Sequence, residues 1–281
     1  MRARRINTVL GGAAVLALAL TACGTADVGD TGGEDGGNGD GDTITIGVKY
    51  DQPGLGLDEG GTPVGFDVDV ATYIAEELGY SADQIEWTEA ASANRESFLQ
   101  QGTVDMIIAT YSITDERRQV VDFAGPYYVA QQDILTQADN SDISGPEDLD
   151  GNVLCSASGS RSAHNITDDM EIGAELREAG NYSECLELLG NGTVDAVTTD
   201  NTILAGFAAQ NPDDFRMVNN AFGEEKYGVG LPAGSTERCE EINAAITKMW
   251  DDGAATEYLE NAFGATDFAF EEEVPELDTC A

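Results

Sequence analysis

The tetrapeptide Gly-Thr-Val-Asp occurs twice, at Gly102–Asp105 and at Gly192–Asp195, and both copies stand at the same kind of junction. Each closes a helical stretch, Glu96 to Gln101 in one case and Cys185 to Asn191 in the other. Each then opens a strand, Thr103 to Thr110 and Thr193 to Asp200. A chain that repeats a helix–Gly–strand junction in this way reads as two units of like construction. The remaining pattern agrees. Thr43 to Tyr50 (TITIGVKY) alternates and is β-branched, which predicts a strand. Phe66, Val70, Ile74 and Leu78 recur every four residues until Gly79, which predicts a helix. Asn152 to Cys155 predicts a further strand. Strands alternating with helices over short links imply an α/β protein, two units on mainly parallel sheets.

In such sheets ligands gather beyond the carboxyl ends of the strands. That rule selects Lys49, the run Thr110 to Ser112, Asp200, and the segment Ser156 to Arg161 (SASGSR). Small residues ahead of a helix expose backbone N–H groups, and the helix dipole favours an anion there. A plain turn with a helix cap explains the Ser/Gly run equally well on local grounds.

Charge narrows the function classes. Lys+Arg number 13 and Asp+Glu 53, a formal net charge of −40. This excludes a nucleic-acid binder that relies on a broad basic face. It also argues against a polybasic membrane-surface protein. Arg2, Arg4 and Arg5 precede a short apolar run, Val9 to Leu20, followed by Leu20-Thr21-Ala22-Cys23. The run is too short for a comfortable membrane span and has the flanks of a secretory signal. It resembles the lipobox of bacterial lipoprotein signals. Residues 1–22 are therefore expected to be the signal peptide, with Cys23 diacylated as the new N-terminus and anchored by two chains. Residues 23–42 then form the lipidated Cys and a flexible, acidic, Gly-rich tether. The Asp-rich end of the tether lacks the twelve-residue spacing and terminal Glu of a calcium loop.

With Cys23 set aside, Cys155, Cys185, Cys239 and Cys280 allow three pairings. The sequence-local pairs, Cys155–Cys185 and Cys239–Cys280, are favoured because each falls within one presumed unit. Loops of this size contribute roughly 3–4 kcal/mol each in the chain-entropy picture. No Cys-x-x-Cys occurs and His164 is the sole histidine, which argues against a zinc site and leaves a Ser-His-Asp triad only a histidine in a polar run.

Three longer segments carry a specific resemblance. Gly65 to Ala71 (GFDVDVA), Gln100 to Arg117 (QQGTVDMIIATYSITDER) and Val121 to Tyr128 (VDFAGPYY) resemble the polar amino-acid-binding proteins of bacterial ABC importers, the family 3 extracellular solute-binding proteins. The resemblance runs in order from about Thr43 to Phe263. Lys49 to Gly54 and Thr199 to Asn201 resemble the glutamate-binding branch found in lipid-anchored form in actinobacteria. The family implies a two-lobed periplasmic-binding-protein-like (type II) fold with a two-strand hinge and the ligand in the interlobe cleft. Lobe 1 would comprise residues 43–133 plus 228–281 and lobe 2 residues 134–227, with Gln132–Leu135 and Tyr227–Leu231 as the crossings.

Roles come by motif position, as the resemblance implies them. Arg117 would grip the ligand α-carboxylate through two parallel hydrogen bonds. Thr110 and Ser112 would offer backbone and hydroxyl groups to the α-amino and α-carboxylate ends. Ser158 and Gly159 would supply N–H groups from the opposite lobe, and Asp200 would pair with the α-ammonium. The position of Lys49 resembles one occupied by Asp in the family's glutamine binders, and a cation there favours a carboxylate over an amide. Arg95 and Arg161 are further candidates for the side-chain pocket, with a purely structural role for Arg95 as the alternative. Ser92 stands where some relatives place an aromatic residue, and Ala157 where Gly is frequent. The expected function is an extracellular receptor for L-glutamate or aspartate, delivering it to the ABC permease subunits. It would need no cofactor, act as a monomer and sit on the cell membrane facing outward. An enzyme on the same scaffold, such as a dehydratase, would need a poised acid or base over the reacting atom. A sensory binding module is the third reading.

Overall fold

The computed structural model describes residues 43–280. The expected signal peptide, Cys23 and the expected tether lie outside the described residues. In chain order the elements are β1 (Ile44–Val48), β2 (Asp51–Gln52), β3 (Gly56–Asp58), β4 (Pro63–Val64), α1 (Phe66–Glu77), β5 (Ile85–Glu89), α2 (Arg95–Gln101), β6 (Met106–Ile107) and β7 (Asp122–Gln137). The second half of the chain adds β8 (Val153–Ala157), α3 (Ser162–His164), β9 (Glu175–Ala179), α4 (Tyr182–Gly190), β10 (Ala196–Asp200), α5 (Asn201–Gln210), β11 (Phe215–Met217), β12 (Phe222–Leu231), α6 (Thr236–Asp251) and α7 (Ala254–Phe263).

One nine-stranded sheet carries the fold, in the order β5-β1-β6-β12-β7-β10-β8-β9, with β11 also paired to β7. β5, β1 and β6 run parallel, as do β10, β8 and β9. Between these two parallel halves lie the long antiparallel strands β7 and β12. β7 changes partner along its length. Asp122 to Gln132 pairs with β12, while Gln132 to Leu135 pairs with β10. The architecture is thus two α/β lobes bridged by two strands. β12 pairs with β7 along its length, with register shifts between Phe222 and Glu225 and between Tyr227 and Val229.

The duplicated tetrapeptide has one structural job done twice. Gly102 and Gly192 adopt φ values of +65° and +73°, reached readily only by glycine, and so end their helices. Thr103 and Thr193 donate their N–H groups back to Phe98 and Leu188 carbonyls, both at 2.9 Å. Val104 and Val194 are buried. Asp105 exchanges two bonds with Thr45: its N–H donates to the Thr45 carbonyl at 2.8 Å and its carboxylate accepts the Thr45 N–H at 2.7 Å. Asp195 does the same with Val153, at 2.8 Å in each direction. The motif locks a helix end to the start of the neighbouring parallel strand. It also shortens the strand expected over Thr103–Thr110, because only Met106 and Ile107 remain in ladder register before the chain turns towards the cavity.

α1 places Phe66, Val70 and Ile74 in the core, as its four-residue spacing requires. Disulfides join Cys155 to Cys185, between β8 and α4, and Cys239 to Cys280, between α6 and the C-terminal segment. Both are the sequence-local pairs.

The repeat makes a quantitative expectation. Asp105→Ala and Asp195→Ala should each lower unfolding stability by ~1 kcal/mol or more, because each strands a strand-opening N–H. Denaturant unfolding of the two variants should give losses of similar size; a loss at one position alone would mean the two copies are not equivalent.

Candidate functional site

Lys49, Thr110, Ser160 and Asp200 lie just beyond or at the ends of four strands whose carboxyl ends face one cavity. The cavity between them is narrow, about 10 Å³ in volume. Ser92, Arg95, Thr110, Ser112 and Arg117 line it from the first half; Ser160, Arg161, Ser162, Tyr182, Thr199 and Asp200 line it from the second.

The first wall is built on the Tyr111 ring. The guanidinium carbons of Arg95 and Arg117 lie 4.3 and 4.9 Å from its centroid. Such cation–π contacts strengthen when water is excluded. Arg95 is 2 % exposed and donates to the carbonyls of Ser92, Ala109 and Thr110 at 3.0–3.3 Å. Arg117 donates to the Ser112 carbonyl at 2.7 Å, and its Nε meets Glu96 at 3.2 Å. Burial and the neighbouring Arg117 together lower Arg95 to about 10. Lys49 stands behind the wall, with its Nζ donating to Ser92 Oγ at 2.7 Å. Burial, reinforced by Arg95, lowers it to about 7.

The facing wall is acidic at one point. Asp200 ends β10, and its carboxylate accepts the Tyr227 hydroxyl at 2.7 Å; that hydroxyl also lies 2.8 Å from Thr202 Oγ1. Burial, with repulsion from Glu225, raises Asp200 to about 8, and the Tyr227 bond only partly offsets this. Gln132 on β7 steadies the neighbouring loop, donating from Nε2 to the Ser162 carbonyl at 2.6 Å and to Thr198 at 2.8 Å.

The pattern of unpaired charge is distinctive. Among the described residues, Lys49 and Arg95 have no carboxylate within ion-pair distance, and Asp200 has no cation. Buried charges of this kind are costly unless something pairs with them. The cavity thus offers cations on one side and a carboxylate on the other.

The structure brings six of the sequence candidates together here: Lys49, Arg95, Thr110, Ser112, Arg117 and Asp200. Three others sit differently. The Ser158 N–H is committed to the Ala179 carbonyl at 2.8 Å, extending the β8–β9 pairing, and Ser158 does not line the cavity. Gly159 presents its carbonyl, accepting from Arg117 at 3.1 Å and Arg95 at 3.4 Å. A Cβ on Gly159 would lie 2.6 Å from Ala93 Cα, so only glycine allows the two halves to approach this closely. Arg161 borders the cavity, but its guanidinium bonds Asn165 at 3.1 Å and Asp169 at 2.9 Å. These local partners, four and eight residues on, outcompete the cavity for its charge.

Sequence reasoning passed over Asp67, Tyr111, Tyr182 and Tyr227. Asp67 stands inside the Gly65–Ala71 segment, at the start of a helix, where an acidic residue has an ordinary explanation. The tyrosines carry no local signal distinguishing them from core aromatics.

Residues 44–265 match the bacterial extracellular solute-binding proteins, family 3. Glutamate-binding protein GluB of Corynebacterium glutamicum is 42% identical over 96% of this chain and 94% of its own length. ABC transporter glutamine-binding protein GlnH of Bacillus subtilis is 36% identical over 76% of this chain and 78% of its own. An ancestral arginine-binding protein bound to arginine superposes with a TM-score of 0.73, at 35% identity, covering 79% of this chain and 98% of that one. The chain belongs to the family 3 extracellular solute-binding proteins.

The unpaired Asp200 gives a pH test of the site. A carboxyl whose folded value lies near 8, against 3.8 unfolded, keeps in the folded state a proton that the unfolded chain has released. It therefore costs stability progressively as pH rises from about 4 to about 8. Asp200→Asn removes that cost. In thermal unfolding without ligand, the variant should match wild type near pH 4 and exceed it by ~2 kcal/mol or more at pH 8. A pH-independent difference would mean that the carboxyl is not held in its neutral form.

Proposed function

We propose that this solute-binding protein captures an acidic amino acid, L-glutamate or aspartate, between its lobes and delivers it to the membrane permease of an ABC importer. The observation that carries the reading is the unpaired buried ionisable groups: among the described residues, Lys49 and Arg95 have no carboxylate within ion-pair distance and Asp200 has no cation. An amino acid with a second carboxylate supplies both partners. The 42% identity to a glutamate-binding protein over nearly the whole chain supports the same ligand.

In this reading the lobes are residues 43–133 plus 228–281 and residues 134–227. Arg117 receives the α-carboxylate, for which a planar guanidinium provides two parallel donors. Thr110 and Ser112 meet the α-groups, Asp200 takes the ammonium, and Lys49 with Ser92 faces the side-chain carboxylate. Arg95 holds the wall and adds positive potential. Arg161 guards the mouth rather than the pocket. The ligand touches both halves only when they are together, so binding shifts the population towards closure. A lipid on Cys23 keeps the receptor at the outer face of the membrane, within reach of its permease. The relatives are named as binding proteins, which supports a receptor over an enzyme on the same scaffold.

Calorimetric titration tests the assignment. Glutamate should bind wild type at least tenfold more tightly than glutamine, a difference of about 1.4 kcal/mol. Lys49→Met should bring the ratio near one, chiefly by weakening glutamate. Equal wild-type affinities would overturn the acidic-ligand reading and leave family membership intact.

A further inference from the structure

Thr110 has φ +44°, the left-handed region, although it is β-branched. Such a conformation is strained for a β-branched residue and persists only where the surroundings over-determine it. The Thr110 N–H is held by Asp67. With no exposed surface, it accepts the Thr110 N–H at 2.8 Å through one oxygen and the Tyr127 hydroxyl at 2.8 Å through the other. Its own backbone is fixed, because the N–H groups of Phe66 and Asp67 donate to the Gly54 and Leu55 carbonyls at 2.9 and 3.0 Å. One carboxylate therefore ties the start of α1, strand β7 and the turn at Thr110 into a single body.

The turn sets the placement of the groups around it. Reversing direction at Thr110 aims the Thr110 carbonyl at Arg95 and sets the Tyr111 ring beneath both guanidiniums. It also brings the Ser112 carbonyl to Arg117. Asp67 does not line the cavity. We propose that Asp67 is a positioning residue for ligand recognition: it holds Thr110 in its inverted conformation and so presents the 110–112 turn to the ligand's α-groups. This rests on the reading that the cavity binds an amino acid. A plain helix-start role for Asp67 would leave Thr110 unaffected.

Two measurements test it. Amide hydrogen exchange of the unliganded protein needs no ligand. The Thr110 amide should exchange at least tenfold faster in Asp67→Ala than in wild type, while Asp67→Asn, which keeps an acceptor oxygen, should retain most of the protection. If Asp67→Ala does not fold, Asp67→Ser takes its place. The second measurement is a binding cycle with whichever of glutamate, glutamine and arginine wild type binds most tightly. Asp67→Ala should weaken binding at least tenfold. In a Thr110→Gly background, where the backbone adopts the inverted conformation without help, the same substitution should cost less than threefold. Unchanged Thr110 exchange in the truncated variant overturns the proposal, as does an equal loss in both backgrounds. If wild type binds none of the three amino acids, the proposed function fails, and the exchange measurement still decides the role of Asp67.

Discussion

Two like charges, the guanidiniums of Arg95 and Arg117, are buried against one aromatic ring. The surrounding structure depends on making that tolerable. Neither charge is neutralised fully; Arg117 has Glu96 at its edge, and Arg95 has only carbonyl oxygens. Carbonyl dipoles can stabilise a guanidinium only if the backbone bends to offer them. The 3₁₀ turn at Ser92–Asn94, the inverted Thr110 and the turned-in Gly159 each present a carbonyl to one or both arginines. Gly159 matters most for assembly, since its carbonyl reaches both arginines from the other half of the sheet. Both arginines thus take part of their hydrogen bonding from the opposite half of the sheet.

Much of this was legible in the residues, and the boundary of legibility has a physical cause. Strand ends are legible, because alternation and helix-stop glycines mark them locally. Lys49, Thr110, Ser112 and Asp200 are reached from strand ends alone. The duplicated Gly-Thr-Val-Asp was legible as a junction, while its mechanism, Asp105 and Asp195 clamping a neighbouring strand, is a contact across 60 and 42 residues. Contacts of that range leave no local signature. The same holds for Asp67 and Tyr227, whose partners lie 43 and 27 residues away. Ser158, Gly159 and Arg161 show the opposite case. Their composition suits an anion-binding turn, yet an adjacent strand takes the Ser158 N–H and a nearby Asp takes the Arg161 charge.

The surface and the cavity carry opposite signs, and this bears on where selectivity arises. With a formal charge of −40, the protein repels an acidic solute at long range. Salt screens that repulsion beyond ~8 Å, so the surface neither attracts nor strongly bars the ligand. Recognition then falls to groups within a few ångströms. While the cavity is open to water, a high dielectric makes the difference between a carboxylate and an amide near Lys49 small. Once Gly159 meets the arginines and water leaves, the same difference grows several-fold. An amide ligand would leave Lys49 with no partner but the Ser92 hydroxyl, a buried cation held by one neutral hydrogen bond. A carboxylate would pair with it. On the proposed reading of the site, discrimination between a carboxylate and an amide would belong to the closing step rather than to first contact.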